Sequence, residues 1–241
     1  MRVYGKSDIG KKRAENQDTF AAELLGENAC FGIVCDGMGG AAGGFTASIT
    51  AQQEILSHIR ENFRPELSSN SIRNLLLSAV SAANAVVFEK AEDPTFRGMG
   101  TTVVAAIICG ETAHIAHVGD SRAYSVADGK AEQITRDHSV VQRLVEMGQL
   151  TEDEAKNHPE KNLITRAVGV DSEIEVDYYE VFLKENDFVL LCTDGLSNYV
   201  EADDIYKMIQ ESEESEVVDR LIGEALRKGG SDNITAVLLA C

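Results

Sequence analysis

Dense apolar runs punctuate this chain. FGIVCD (31–36), IAHVGD (115–120), FVLLCTD (188–194) and DNITAVLLA (232–240) are rich in Val, Ile and Leu and bounded by Gly or Asp. That pattern predicts strands buried on both faces. Residues 2–8 and 18–25 predict two further strands around the basic turn GKKRAENQ (10–17). TTVVAAIIC (101–109), AHIAHVG (113–119), RAYSVA (122–127) and AEQIT (131–135) predict a β-meander, with Asp128-Gly129 as its hairpin signal. IEVDYYEV (174–181) and DFVLLCT (187–193) predict two strands more. Helical spacing takes over in 46–60, where Ile49, Ile55, Leu56 and Ile59 share a face, and in 69–92, where Ile72, Leu75, Leu76, Ala79, Ala83, Val86 and Val87 do. Two later helices fall near 203–210 and 215–228.

Strands and helices do not alternate strictly, which disfavours a doubly wound parallel sheet. The order predicts an α+β fold: a four-layer αββα sandwich of two mainly antiparallel sheets with a helix pair outside each. Residues 136–169 are more polar and are broken at His158-Pro159, so they read as an insertion on the sheet. No linker or repeat divides the chain, and a single domain over 1–241 is expected.

The apolar runs carry an unusual end group. Asp36, Asp120 and Asp194 each close one, and Asp232 opens one. An unpaired carboxylate is costly to bury, and converging carboxylates are most simply relieved by a hard divalent cation. One such Asp would read as a turn residue; four at the same kind of boundary predict a metal cluster.

Lys plus Arg number 22 against 40 Asp plus Glu, a net charge of −18. This argues against nucleic acid or an anionic membrane as partner. The five cysteines form no CxxC pair and four sit in or beside apolar runs, as expected of reduced thiols in the cytoplasm. No apolar signal core opens the sequence, and no apolar stretch is expected to span a bilayer.

Other patterns are weaker. GMGGAA (37–42) has the outline of a dinucleotide fingerprint, but Asp36 would face the pyrophosphate and a helix follows a helix. A turn that brings the Gly37 carbonyl beside a cation at Asp36 suits the residues better. GKSDIGK (5–11) lacks the Ser or Thr of a phosphate loop. His114 and His117 are three apart on a strand, so they face opposite ways and cannot share a zinc.

Taken in order, SDIGKKRAENQD (7–18), VCDGMGG (34–40), GMGTT (98–102), HVGDSRAY (117–124), TRDHS (135–139), LLCTDGLS (190–197) and GGSDNITAV (229–237) resemble the type 2C (PPM) metal-dependent protein phosphatases, in their bacterial form. The resemblance spans the chain and implies the same sandwich, with 136–169 as a flap subdomain. It implies a Mn2+- or Mg2+-dependent phosphoserine/phosphothreonine phosphatase with two core metals and a third, in which a water shared by two metals attacks phosphorus. It further implies that Asp36 bridges the core metals, that the Gly37 carbonyl and Asp18 serve the second, and that Asp194 and Asp232 complete the first. Asp120 would share the third metal with Asp194, and Arg13 would grip the substrate phosphate. The catalytic set so implied is Asp36, Arg13, Asp194 and Asp232. Partners would be phosphoproteins and an opposing Hanks-type Ser/Thr kinase, with the phosphatase a monomer.

Three positions depart from many relatives: Ala41 replaces a His, Phe45 an acid, and Gln17 a Glu. With every ligand intact, an active enzyme with altered leaving-group chemistry or selectivity is expected; the alternative is a metal-binding regulatory pseudophosphatase that binds phosphoproteins without turnover.

Overall fold

The computed structural model describes residues 1–241, apart from the side chains of Ala41 and Ala42, so the expectation for Ala41 lies outside the described residues. β1 (Arg2–Asp8), β2 (Asp18–Leu24) and β3 (Ala29–Met38) lead into α1 (Gly40–Asn62) and α2 (Ser69–Lys90). β4 (Gly100–Thr101), β5 (Val103–Cys109), β6 (Thr112–Val118), β7 (Arg122–Ala127) and β8 (Lys130–Gln133) form the meander. α3 (Val140–Glu146) and α4 (Glu152–Lys156) follow, then β9 (Asp177–Phe182), β10 (Phe188–Cys192), the short α5 (Asp194–Ser197), α6 (Ala202–Gln210), α7 (Glu214–Lys228) and β11 (Ile234–Ala240).

The strands pair antiparallel in two sheets, β1-β11-β10-β7-β8 and β2-β3-β5-β6-β9, with β4 added to β3. Alternation along each strand makes three apolar layers. Val34, Val104, Ile115, Leu191 and Val237 pack between the sheets. Ile33, Ile107, Ile55 and Leu76 join the second sheet to α1 and α2. Leu190, Leu238, Ile205 and Leu221 join the first to α6 and α7. This is the expected αββα sandwich.

Several boundaries differ from expectation. The strand expected over 174–181 starts only at Asp177, and the one expected over 101–109 is split into β4 and β5. α1 begins at Gly40, because Gly39 turns the chain at φ 125° against Met99 Cα, where a Cβ would lie 2.5 Å away. α2 also corrects the expectation that no stretch could span a bilayer: its length and apolarity suffice. Its Ile72, Leu75, Leu76 and Val80 are instead buried against α1 and the sheet.

Residues 136–169 add no strand to either sheet; they carry α3, capped by Ser139, and α4, closed by a Thr151–Glu154 capping box. Bridges Ser139–Ile164 and Thr101–Val168 tie the base of this segment. The Asn84 Oδ1 of α2 accepts the Gly169 amide at 2.7 Å.

Candidate metal centre

Asp36 is not at a strand end. It lies within β3, directly opposite Asp18 of β2, so both carboxylates leave the same face of one strand pair. The mount of Asp36 is fixed from the neighbouring turn. Its amide donates to Thr102 Oγ1 at 3.0 Å, and its carbonyl accepts the Thr102 amide and the Thr101 hydroxyl, both at 2.9 Å. The next residue has no room for a side chain: a Cβ on Gly37 would sit 2.0 Å from the Gly44 carbonyl oxygen.

Asp18 joins the two sheets. Its Oδ2 accepts the Thr193 and Thr235 hydroxyls at 2.9 and 2.7 Å, from the opposite sheet's β10–β11 end. Asp194 opens α5 and is held through Oδ2 by Asn198 Nδ2 at 3.1 Å. A Cβ on Gly195 would lie 1.8 Å from the Asn233 carbonyl oxygen, so α5 and the start of β11 touch backbone to backbone. Asp120 sits in the turn after β6, and Asp232 precedes β11. Asp18, Asp36, Asp120, Asp194 and Asp232 thus gather at one end of the sandwich. All but Asp18 line an open cavity of about 500 Å³.

The acids raise one another's pKa. Burial, then repulsion from Asp18 and Asp194, pushes Asp36 well above the ordinary carboxylate range. Burial pushes Asp18 to about 7 against the pull of its two threonines, with Asp194 and Asp232 adding to the rise. Burial and Asp194 bring Asp120 to about 8, and burial and Asp232 bring Asp194 to about 6. Such a group of acids disfavours its own ionisation and gains from a cation.

The residues fit one. Oδ1 of Asp18 and Oδ1 of Asp194 are buried with no hydrogen-bond partner among the described residues, an arrangement otherwise costly to desolvate. The donor set is all oxygen, the preference of magnesium and manganese. Among the described residues, no three His, Cys, Asp or Glu side chains close on a single point. The carboxylates form a ring rather than a cage, which leaves part of each ion's shell to water and backbone carbonyl. Burial pushes up the thiols of Cys35, beside Asp36, and of Cys192, two residues before Asp194, the latter to about 12.

Arg13 reaches this ring from the 9–17 loop. Its Nε meets Asp232 Oδ1 and its Nη2 meets Asp232 Oδ2, both at 2.7 Å, while about half of the side chain stays exposed at the cavity rim. The arrangement brings a guanidinium fork to the mouth of a carboxylate-lined cavity, the layout suited to holding a phosphate against cations.

Over residues 5–228 the sequence matches the family model of protein phosphatase 2C. The chain belongs to the protein phosphatase 2C family. Relatives in that family cover it almost end to end. Serine/threonine phosphatase stp of Listeria welshimeri is 37% identical over 99% of this chain and 95% of its own. The S. agalactiae serine/threonine phosphatase structure superposes with a TM-score of 0.92 at 36% identity, covering 98% of each chain. The catalytic domain of the phosphatase PstP, solved with two manganese ions, superposes at 0.84 with 35% identity, covering 98% of this chain and 96% of that one.

Some residues that build this protein phosphatase 2C site carry a role that the sequence did not give them. Asn233 reads as a turn residue, yet its Nδ2 donates to the carbonyls of Ile9 and Glu15 and its Oδ1 accepts the Gln17 amide at 2.9 Å. It therefore pins the loop that carries Arg13. Gln17, one of the departures, donates to the Gly40 carbonyl at 2.9 Å and ties that loop to the start of α1. Phe45, another departure, is a half-exposed residue of α1. His114 and His117 do face opposite ways: His114 Nδ1 meets Tyr178 Oη at 2.6 Å, whereas His117 lies buried against His138. A second cavity of about 530 Å³ adjoins the first at Asp120 and Asp194, with Arg122, Asp137, Ser139 and Asn198 on its walls.

Proposed function

We propose that this chain hydrolyses phosphoserine and phosphothreonine in proteins, with two manganese or magnesium ions at the aspartate ring and a third at Asp120. The observation that carries the reading is the pair of unpartnered, buried Oδ1 atoms on Asp18 and Asp194, set among acids that raise one another's pKa beneath the Arg13 fork. Asp36 would bridge the two core ions; Asp194 and Asp232 would complete one shell, and the Gly37 carbonyl and Asp18 the other. Asp120 and Asp194 both line the two cavities and would share the third. Bound there, such ions lower the pKa of a shared water and neutralise phosphoryl oxygens.

The chain's own residues supply positioning. Thr102 fixes the direction of Asp36, Thr193 and Thr235 hold Asp18, and Asn198 holds Asp194. Arg13 presents two N–H groups at the rim and can transfer them from Asp232 to two phosphate oxygens, which Lys could do only as a point charge. The reading includes a single domain over 1–241 with 136–169 as its flap, action as a monomer, and an opposing Ser/Thr kinase. Five free thiols support a reducing, cytoplasmic setting. Phosphate release from phosphothreonine, phosphoserine and phosphotyrosine peptides, measured with manganese and with chelator, tests it. Release from the first two alone, abolished by chelator, is the expected result; release that survives chelation would contradict it.

A further inference from the structure

His138 grips the residue before Asp120 at two points. Its amide donates to the Gly119 carbonyl at 2.7 Å, and its ring Nδ1 accepts the Gly119 amide at 3.0 Å. A backbone N–H can only donate, so Nδ1 is unprotonated and the ring proton sits on Nε2. Nε2 lies 3.2 Å from Asp177 Oδ2, whose other oxygen takes Arg166 Nη1 at 2.7 Å. The Arg166 Nη1 also lies 3.1 Å from Nε2; with both atoms donors, the two share Asp177 rather than bond to each other.

The rest of the turn is equally constrained. Gly119 stands at φ 110°, and a Cβ there would come within 2.6 Å of Thr102 Cγ2. Thr102 Oγ1 meets Ser121 Oγ at 2.7 Å and also accepts the Asp36 amide. Asp120 is therefore flanked by anchored neighbours. On its other side, His138 belongs to the base of the 136–169 segment: its carbonyl accepts the Thr165 amide at 2.7 Å, beside the Ser139–Ile164 bridge. One residue thus holds both ends of that base and the mount of Asp120.

We propose that His138 is a positioning residue that holds the Asp120 carboxylate toward its cation and couples it to the base of the 136–169 segment through Gly119. The inference rests on the reading of Asp120 as a cation ligand. His138 reaches Asp120 through the backbone of Gly119; partners that orient a metal ligand change metal affinity by about 10–100-fold when replaced.

Four variants separate the possibilities: His138→Phe, which keeps the ring and loses both nitrogens; His138→Asn, whose amide can replace Nδ1; His138→Gln, whose amide reaches toward Asp177 but not Gly119; and Asp120→Ala. Manganese binding is read by calorimetry, the Gly119 amide by 15N–1H spectroscopy, and turnover on a phosphopeptide. The Asp120→Ala variant should lose the weakest manganese site and turnover. His138→Phe and His138→Gln should weaken that site about 10-fold or more, shift the Gly119 amide upfield and lower kcat with little change in KM. His138→Asn should restore the amide shift and most of the affinity. If His138→Phe fails to fold, the contrast between Asn and Gln decides alone. Full weak-site affinity in His138→Gln, with loss in Asp120→Ala, overturns the inference and leaves the reading of Asp120 intact. No change in Asp120→Ala contradicts that reading and takes the inference with it.

Discussion

Arg13 and Asp232 meet in a two-point ion pair, Nε to Oδ1 and Nη2 to Oδ2, at the rim of the aspartate ring. An exposed pair of this kind adds little stability. Its consequence is position: the guanidinium is held at the cavity wall, with the acid that anchors it also proposed to ligate an ion. Arg13→Lys keeps the charge and loses the fork. We expect KM for a phosphopeptide to rise about 10-fold or more, since one hydrogen bond to a charged group contributes about 1.5–3 kcal/mol, while kcat changes less. Steady-state kinetics at saturating manganese check this; an unchanged KM would remove Arg13 from phosphate binding.

Asn233 makes the same argument from the other end of the loop. It is buried and bonds Ile9, Glu15 and Gln17 at once. Asn233→Ala leaves two carbonyls and an amide without it, so a stability loss of about 1–3 kcal/mol is expected, together with a higher KM as the loop bearing Arg13 loosens. Urea unfolding and peptide kinetics on one preparation measure both effects.

Gly195 allows α5 to touch the start of β11. In Gly195→Ala the new Cβ would meet the Asn233 carbonyl at 1.8 Å, and backbone on both sides must move. A loss of up to about 3 kcal/mol is expected from overpacking, with manganese affinity falling because Asp194 and Asp232 flank the contact. Wild-type melting and wild-type manganese binding in this variant would show that the contact is slack.

The raised acids set a sign for the pH dependence of the metal-free protein. Asp194, Asp18 and Asp120 stand at about 6, 7 and 8, against about 3.9 for an unfolded Asp. Between about pH 4 and 8 the folded state then binds more protons than the unfolded, so these acids lower stability as pH rises. In chelator, Tm should be lower at pH 8 than at pH 6. Asp36→Asn removes one charge from the group, so it should raise Tm at pH 8 and flatten the slope while abolishing turnover. Saturating manganese should cancel the trend for wild type, because ions and protons compete for the same oxygens. A Tm in chelator that climbs from pH 6 to 8 would contradict the mutual repulsion.

The sandwich was legible in the sequence because both kinds of period are strong. FVLLC and ITAVLLA are continuous apolar runs and became central strands β10 and β11, while Ile72, Leu75, Leu76 and Ala79 became the buried face of α2. Asp128-Gly129 did make the expected hairpin, at φ 48° and 86°. The ring of acids was legible as acids beside apolar runs, but its geometry was not. That Asp36 lies inside β3 opposite Asp18 is a matter of strand register, and register depends on pairing rather than on local pattern. Asn233, Thr102 and His138 escaped for a related reason. Each acts through bonds to backbone groups of residues far along the chain, and no local spacing encodes those.

The central claim is that Asp18, Asp36, Asp194 and Asp232 hold a pair of divalent cations bridged by Asp36. Anomalous diffraction from crystals soaked in manganese tests it most directly. The account predicts two strong peaks on either side of the Asp36 carboxylate, one within reach of Asp194 and Asp232, the other within reach of the Gly37 carbonyl and the Asp18 side, and both peaks absent in Asp36→Asn. The absence of a pair of peaks about Asp36, or a pair that persists in Asp36→Asn, would contradict it.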